Sequence, residues 1–351
     1  MWIFAALVMM PAMSPRKVTM KYHLLLVACI ILFACSGPSR QSRIISVGGQ
    51  QSPVENERWL SHEHILVDFT GADSINPKSW NHDSVINAMS NYLDELKNHQ
   101  VKYFVDATPA YLGRDAVLLD KISKKTGLTI LTNTGFYGAV KNKYIPSFAF
   151  NLSAEDIAKI WIDEYEKGID GTTIKPGFIK ISVDAADTLH PMHEKLVKAA
   201  AITHLKTGLL ILSHTGVAKG LWPQLEIIRA SGVSPEAFVW VHAQVERDST
   251  NYLRAAQSGC WIALDGLGWE FDKHIRNLVF AKQNGILDKI LISHDAGWYD
   301  PKKQVQKIQP YTAIFTKVVP ELKSKGFTED EINLLLNRNP SKAFAVQVRN
   351  L

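Results

Sequence analysis

Eight short apolar runs, most of them separated by longer segments with helical spacing, constrain this chain more than any other feature. The runs are WLSHEHILVDF (59–69), KYFVDAT (102–108), LTILTNTG (128–135), GFIKIS (177–182), GLLILSHTG (208–216), AFVWVHA (237–243), CWIALDG (260–266) and KILISHDAG (289–297). Between them lie segments such as SVINAMSNYLDELKNH (84–99), AEDIAKIWIDEYEKG (154–168) and HEKLVKAAAITHLKT (193–207). Strand followed by helix, eight times over, predicts a closed (β/α)8 barrel. Several runs are apolar throughout, as parallel strands buried on both faces must be. At 351 residues the chain fits one such barrel.

The two ends of the sequence differ in character. Met20 opens MKYHLLLVACIILFACSG, with a basic start, an apolar stretch from Leu24 to Phe33 and small residues around Cys35. That is the layout of a secretory signal peptide, and the stretch is short for a spanning helix. LFAC (Leu32–Cys35) resembles a bacterial lipobox, in which the cysteine is acylated. The expected organisation is therefore a signal segment with lipobox over 1–35, of which 1–19 is an upstream extension. A flexible Ser/Gly/Gln/Pro-rich tether follows over 36–54, and a single catalytic barrel over 55–351. The expected location is the periplasm or cell envelope, with membrane attachment through Cys35. Only Cys29, Cys35 and Cys260 are present, so no disulfide framework is expected. The net charge is +5, and Arg16, Lys17 and Lys21 account for three of those charges. The rest is nearly balanced, with no basic block interleaved with aromatics, which argues against nucleic-acid binding.

Polar residues gather at the carboxyl ends of the runs: His62 and His64, Asp106, Asn133 and Thr134, Lys180, His214, His242, Asp265 and Asp295. A barrel brings those ends to one face, where active sites are built. Residues i and i+2 of a strand share a face, so His62 and His64 project together. Imidazole and carboxylate are good ligands for zinc and similar ions. His62, His64 and Asp295 can hold one ion, and His214 with His242 a second. Lys180 fits if its amine is neutral, since burial and nearby cations favour that form. A neutral amine can take up carbon dioxide as a carbamate, whose two oxygens can bridge two ions. Each piece alone has a plainer reading: a snorkelling lysine for Lys180, a helix cap for Asp295, a turn residue for Asp265, scaffold for a single histidine. It is the ordered set that points to a metal centre.

The motifs HEH (62–64), GFIKIS, SHTG (213–216), VHAQ (241–244) and SHDAG (293–297), with NTGFYG (133–138), GIDGT (168–172) and NPSKAF (339–344), resemble the phosphotriesterase family of the amidohydrolase superfamily over residues 56–347. The resemblance implies a binuclear hydrolase using two divalent ions, zinc as the leading choice. His62, His64 and Asp295 would hold the more buried ion and His214 and His242 the more exposed one, with carboxylated Lys180 and a hydroxide bridging them. It implies that Asp295 carries a proton away after attack, that Tyr137 faces the ions and orients substrate, and that Phe136 and Trp298 wall the pocket. Two departures leave the substrate open. Gly266 follows Asp265 where the family's homoserine-lactone hydrolases resemble one another in having arginine, and neither Glu246 nor Asp248 falls at the position of an acidic relay. The segment 266–277 is expected to be a pocket-shaping loop, with His274 at the surface. The expected activity is hydrolysis of an ester-type bond, lactone or carboxylic ester ahead of phosphoester. The expected partners are that small substrate, the membrane and a second copy of the chain. The rival is a non-catalytic metal- or ligand-binding lipoprotein, and a lapsed homologue of that kind would be expected to have lost a ligand.

Overall fold

The computed structural model describes residues 42–351, and the signal, the lipobox and the first residues of the tether, 36–41, fall outside that range. Eight parallel strands close into the expected barrel: β1 (Arg58–Glu63), β2 (Val101–Asp106), β3 (Thr129–Leu131, continued by Asn133–Thr134), β4 (Phe178–Ser182), β5 (Leu210–His214), β6 (Phe238–Val241), β7 (Trp261–Leu264) and β8 (Ile290–Ile292). β1 to β3 pair in order, and the second piece of β3 pairs onward through β4 to β8. The break in β3 falls at Thr132, which accepts from the Gly177 N–H at 2.8 Å. The ring closes beyond β8, where Asp295 N–H donates to His62 O (3.1 Å) and His64 N–H to Ala296 O (2.9 Å). That closure sets the first histidines beside the last aspartate.

Period-two alternation sorts the strands. Trp59, Tyr103, Val105, Leu131, Phe178, Leu210, Leu212, Val239, Val241, Trp261, Ala263 and Leu291 fill the barrel interior. Their neighbours Leu60, Phe104, Ile130, Ile179, Ile181, Ile211, Trp240, Ile262 and Ile292 pack outward against the helices. Helices of the outer layer start at side-chain caps. Asn81 opens His82–Glu95, Asp115 opens Ala116–Thr126, and a Ser153/Asp156 capping box opens Ala154–Lys167. No helix among the described residues is long and apolar enough to cross a membrane.

Part of the segment expected to be a flexible tether, 36–54, is ordered structure. Ile44–Ser46 and Gly49–Gln51 form an antiparallel hairpin. Ile44 and Ile45 are buried, and Val47 N–H donates to Ile130 O at 2.8 Å. Ile44 joins Phe344, which stacks near Trp59, in the interior cluster at the end of the barrel remote from the site. Two adjacent β-branched residues before a Gly-Gly pair carried that hairpin signal.

Candidate metal centre

The inward columns of the barrel end in the polar residues. Phe178 leads two positions up to Lys180, Leu210 and Leu212 to His214, and Trp261 and Ala263 to Asp265. β1 needs a correction to the alternation, because Leu60 faces outward whereas His62 lines the mouth. A register irregularity between Leu60 and Glu63 makes the change of face. His242 and Asp295 leave their strands in the left-handed region, at φ 61° and 53°. Such backbone is held only where its surroundings enforce it.

His62, His64, Lys180, His214, His242 and Asp295 all line one cavity of about 130 Å³. His64 Nε2 lies 2.9 Å and His62 Nε2 3.7 Å from Asp295 Oδ1. The ligand atoms of these three residues fall within 4.8 Å of one another. The His214 and His242 rings are 4.4 Å apart, and His242 is 5.2 Å from His62. Tyr137 places its hydroxyl 3.0 Å from His214 Nδ1. Trp298 packs its ring 5.3 Å from that of His64 and donates from Nε1 to Asp295 O at 2.9 Å. Val67, Phe69, Pro109, Leu112, Val140 and Tyr144 make the rest of the wall largely apolar.

The electrostatics follow from burial. His62 is pulled down to about 4, by desolvation first and then by Lys180. His214 falls well below the ordinary range for the same reason, with His242 and Lys180 adding to it. Burial lowers the Lys180 amine to about 8, against the pull of Asp265 and Asp295. Burial also works against ionisation of Asp295, but the hydrogen bond from His64 and the nearby imidazoles outweigh it and hold the carboxyl low. Burial raises the Tyr137 phenol, so it stays protonated. The site therefore holds neutral His62 and His214, a His242 imidazole that burial works to lower but Asp265 and Asp295 draw upward, an ionised Asp295 and an amine close to losing its proton.

Divalent ions fit this set. Lys180 Nζ is buried without a hydrogen-bond partner in a cavity lined by four imidazoles. An unpartnered buried ammonium is costly, whereas neutral nitrogens and a carboxylate converging on one point are what a metal ion requires. His62, His64 and Asp295 are arranged to hold one ion. His214 and His242 stand side by side for another.

Some residues fall elsewhere than expected. Phe136 points away from the cavity and packs edge-on against Trp161 (5.4 Å), because alternation sends it to the face opposite Tyr137. No residue of 266–277 lines the cavity. The helix Phe271–Gln283 begins inside that segment, and His274 is buried on its inner face rather than exposed. Glu246 accepts from Ala218, Arg247 and Asp248 N–H groups and Asp248 from Thr250, so both are loop caps. Sequence reasoning gave Glu63 no role. It is fully buried beneath the site and accepts from Ser293 Oγ, His294 N and Nδ1, and Ala296 N, which pins the segment that carries Asp295. Asp265 is no simple turn residue, since its carboxylate accepts from both His62 and His242.

A model of the phosphotriesterase family matches residues 44–344. The chain belongs to the phosphotriesterase family. It is 31% identical to an aryldialkylphosphatase of Saccharolobus solfataricus over 301 residues, covering 82% of this chain and 94% of that one. It is 26% identical to the phosphotriesterase homology protein of Escherichia coli (81% and 97% covered). With the human N-acetyltaurine hydrolase it shares 24% identity (87% and 98% covered). The crystal structure of the Escherichia coli phosphotriesterase homology protein, complexed with phosphate in its active site, superposes with a TM-score of 0.72 at 25% identity. That superposition covers 83% of this chain and 99% of the other. The family match begins at the hairpin, consistent with the hairpin being part of the barrel domain.

Proposed function

We propose that this family member is a binuclear metal-dependent hydrolase of a small neutral ester, a lactone or carboxylic ester ahead of a phosphoester. The observation that carries the reading is the Lys180 amine, buried without a partner in a cavity lined by four imidazoles and Asp295. His62, His64 and Asp295 would hold one ion and His214 and His242 the other, with Lys180 joining the site as its carbamate. When bound, two divalent ions supply an activated water at neutral pH and polarise the oxygen of the scissile bond. Zinc suits the histidine-rich set.

The remaining work falls to side chains. Asp295 is ionised and faces the cavity, so it can take the proton of the attacking water and return it to the leaving oxygen. Tyr137 keeps its proton and can donate to a substrate oxygen. Trp298, Phe69, Leu112 and Tyr144 shield the reacting bond from bulk water. Among the described residues, Lys180 is the only lysine or arginine lining the cavity, which favours a neutral substrate over an anionic one. The relatives are named for different substrates, so the family alone does not choose. Export and acylation at Cys35 belong to the same proposal and rest on the sequence pattern.

The test is a hydrolysis screen of lactones, carboxylic esters, phosphoesters and N-acyl amides on metal-loaded protein. Turnover of small lactones or esters above the other classes supports the reading. Turnover confined to N-acyl amides or phosphoesters overturns the substrate choice. Metal binding without turnover of any class favours the binding-lipoprotein rival.

A further inference from the structure

We infer that Asp265 is the positioning residue for both halves of the centre, holding one imidazole of each ion pocket in its metal-binding tautomer. The inference rests on the metal-dependent reading above. Asp265 is fully buried and stands outside the ligand set. Its Oδ2 accepts from His62 Nδ1 at 3.0 Å and from the His242 backbone N–H at 3.2 Å. Its Oδ1 accepts from His242 Nδ1 at 2.7 Å and from Gln244 Nε2 at 3.0 Å. The His242 backbone N–H and Gln244 Nε2–H can only donate, one to each oxygen, and a carboxylic acid is far more acidic than an imidazolium, so the carboxyl is ionised and only accepts. Both Nδ1 atoms must then carry the hydrogen. In each ring the lone pair is left on Nε2, the only nitrogen able to bind a cation.

His62 belongs to the ion pocket with His64 and Asp295, and His242 to the pocket with His214. A single carboxylate on β7 therefore reaches one ligand of each. It also steadies the left-handed backbone of His242, whose N–H it binds. His64 has a separate support in Thr108 (2.8 Å).

Asparagine at this position gives an unequal result. An amide has one accepting oxygen and one donating nitrogen. The His242 backbone N–H is fixed in place, whereas the Gln244 side-chain amide can turn away from Oδ1, so the amide oxygen stays at the Oδ2 position and continues to serve His62. The amide nitrogen then faces His242 Nδ1. That ring must become an acceptor at Nδ1, which puts its hydrogen on Nε2 and removes it as a ligand.

The experiment is zinc titration by calorimetry, with elemental analysis, of the parent, Asp265→Asn and Asp265→Ala proteins prepared metal-free. The parent is expected to bind two ions. Asp265→Asn should keep the first with an affinity close to the parent's and bind the second about 10- to 100-fold more weakly. Asp265→Ala should weaken both. A D265N protein whose two affinities match the parent's overturns the inference while leaving the metal reading intact. Loss of both ions from D265N together, with its thermal midpoint lowered, shows a merely structural role and also overturns it. A parent that binds no zinc overturns both proposals. Should the variants not fold, nitrogen-15 spectra of the histidines in the zinc-loaded parent decide the matter. Nδ1–H with unprotonated Nε2 at both His62 and His242 supports the inference, and Nε2–H at either ring refutes it.

Discussion

Carbamate formation on Lys180 should depend on pH in a way that an exposed lysine cannot reproduce. Only the neutral amine attacks carbon dioxide, and burial brings Lys180 down to about 8. Its free-base fraction is then about 3% at pH 6.5 and about 75% at pH 8.5, against about 0.01% and 1% for a lysine at the ordinary value. Metal-free protein would be mixed with zinc and carbon-13-labelled bicarbonate at constant dissolved carbon dioxide. The carbamate signal and the return of hydrolytic activity would be followed in time. The rate should rise about eightfold between pH 6.5 and 7.5 and level off above about pH 8.5. Lys180→Ala should show no signal, lose most activity and bind metal weakly. Acetate or propionate, supplying the missing oxygens, should restore part of the activity. A rate that keeps climbing tenfold per pH unit to pH 9.5 would mean the amine is not the buried one described. Full activity without carbon dioxide at any pH would refute the bridge altogether. Lys175 is exposed before β4, so Lys175→Ala should leave metal content unchanged.

Other outcomes follow from single contacts. Tyr137→Phe removes a hydroxyl 3.0 Å from His214 and facing the cavity, so kcat should fall about tenfold, the worth of one neutral hydrogen bond, with two ions retained by elemental analysis. Gly297 has φ +96°, and an added Cβ would lie 2.0 Å from His64 O, so Gly297→Ala should lower stability by about 3 kcal/mol or more in denaturant titration. Cys35→Ser should release the protein from membranes without changing its catalytic constants, and equal membrane association of variant and parent would show that acylation is not the anchor.

The barrel and the gathering of the six residues in one cavity were legible because strand period and position at a strand's carboxyl end are short-range properties. Alternation along a strand places Lys180 above Phe178 and His214 above Leu212 whatever lies across the barrel. What was hidden depends on neighbours far apart in sequence. Asp265 gains its role only because β7 stands beside β6 and its carboxylate reaches across to His62 on β1. Glu63 looked like a spacer between two histidines, yet it meets His294, more than 200 residues away, at 2.7 Å. Phe136 failed by one residue, since its neighbour Tyr137 took the inward position. His274 failed because the segment holding it was read as a loop, where the burial of one helical face with Ile275 and Leu278 has no counterpart.

The centre itself is tested most directly by counting its ions. Protein purified in zinc-containing buffer and dialysed free of excess should retain close to two ions per chain by elemental analysis. Chelation should abolish hydrolysis, and zinc, cobalt or manganese should restore it. A chain that retains no ion, and gains no activity when any of the three is added, would contradict the account.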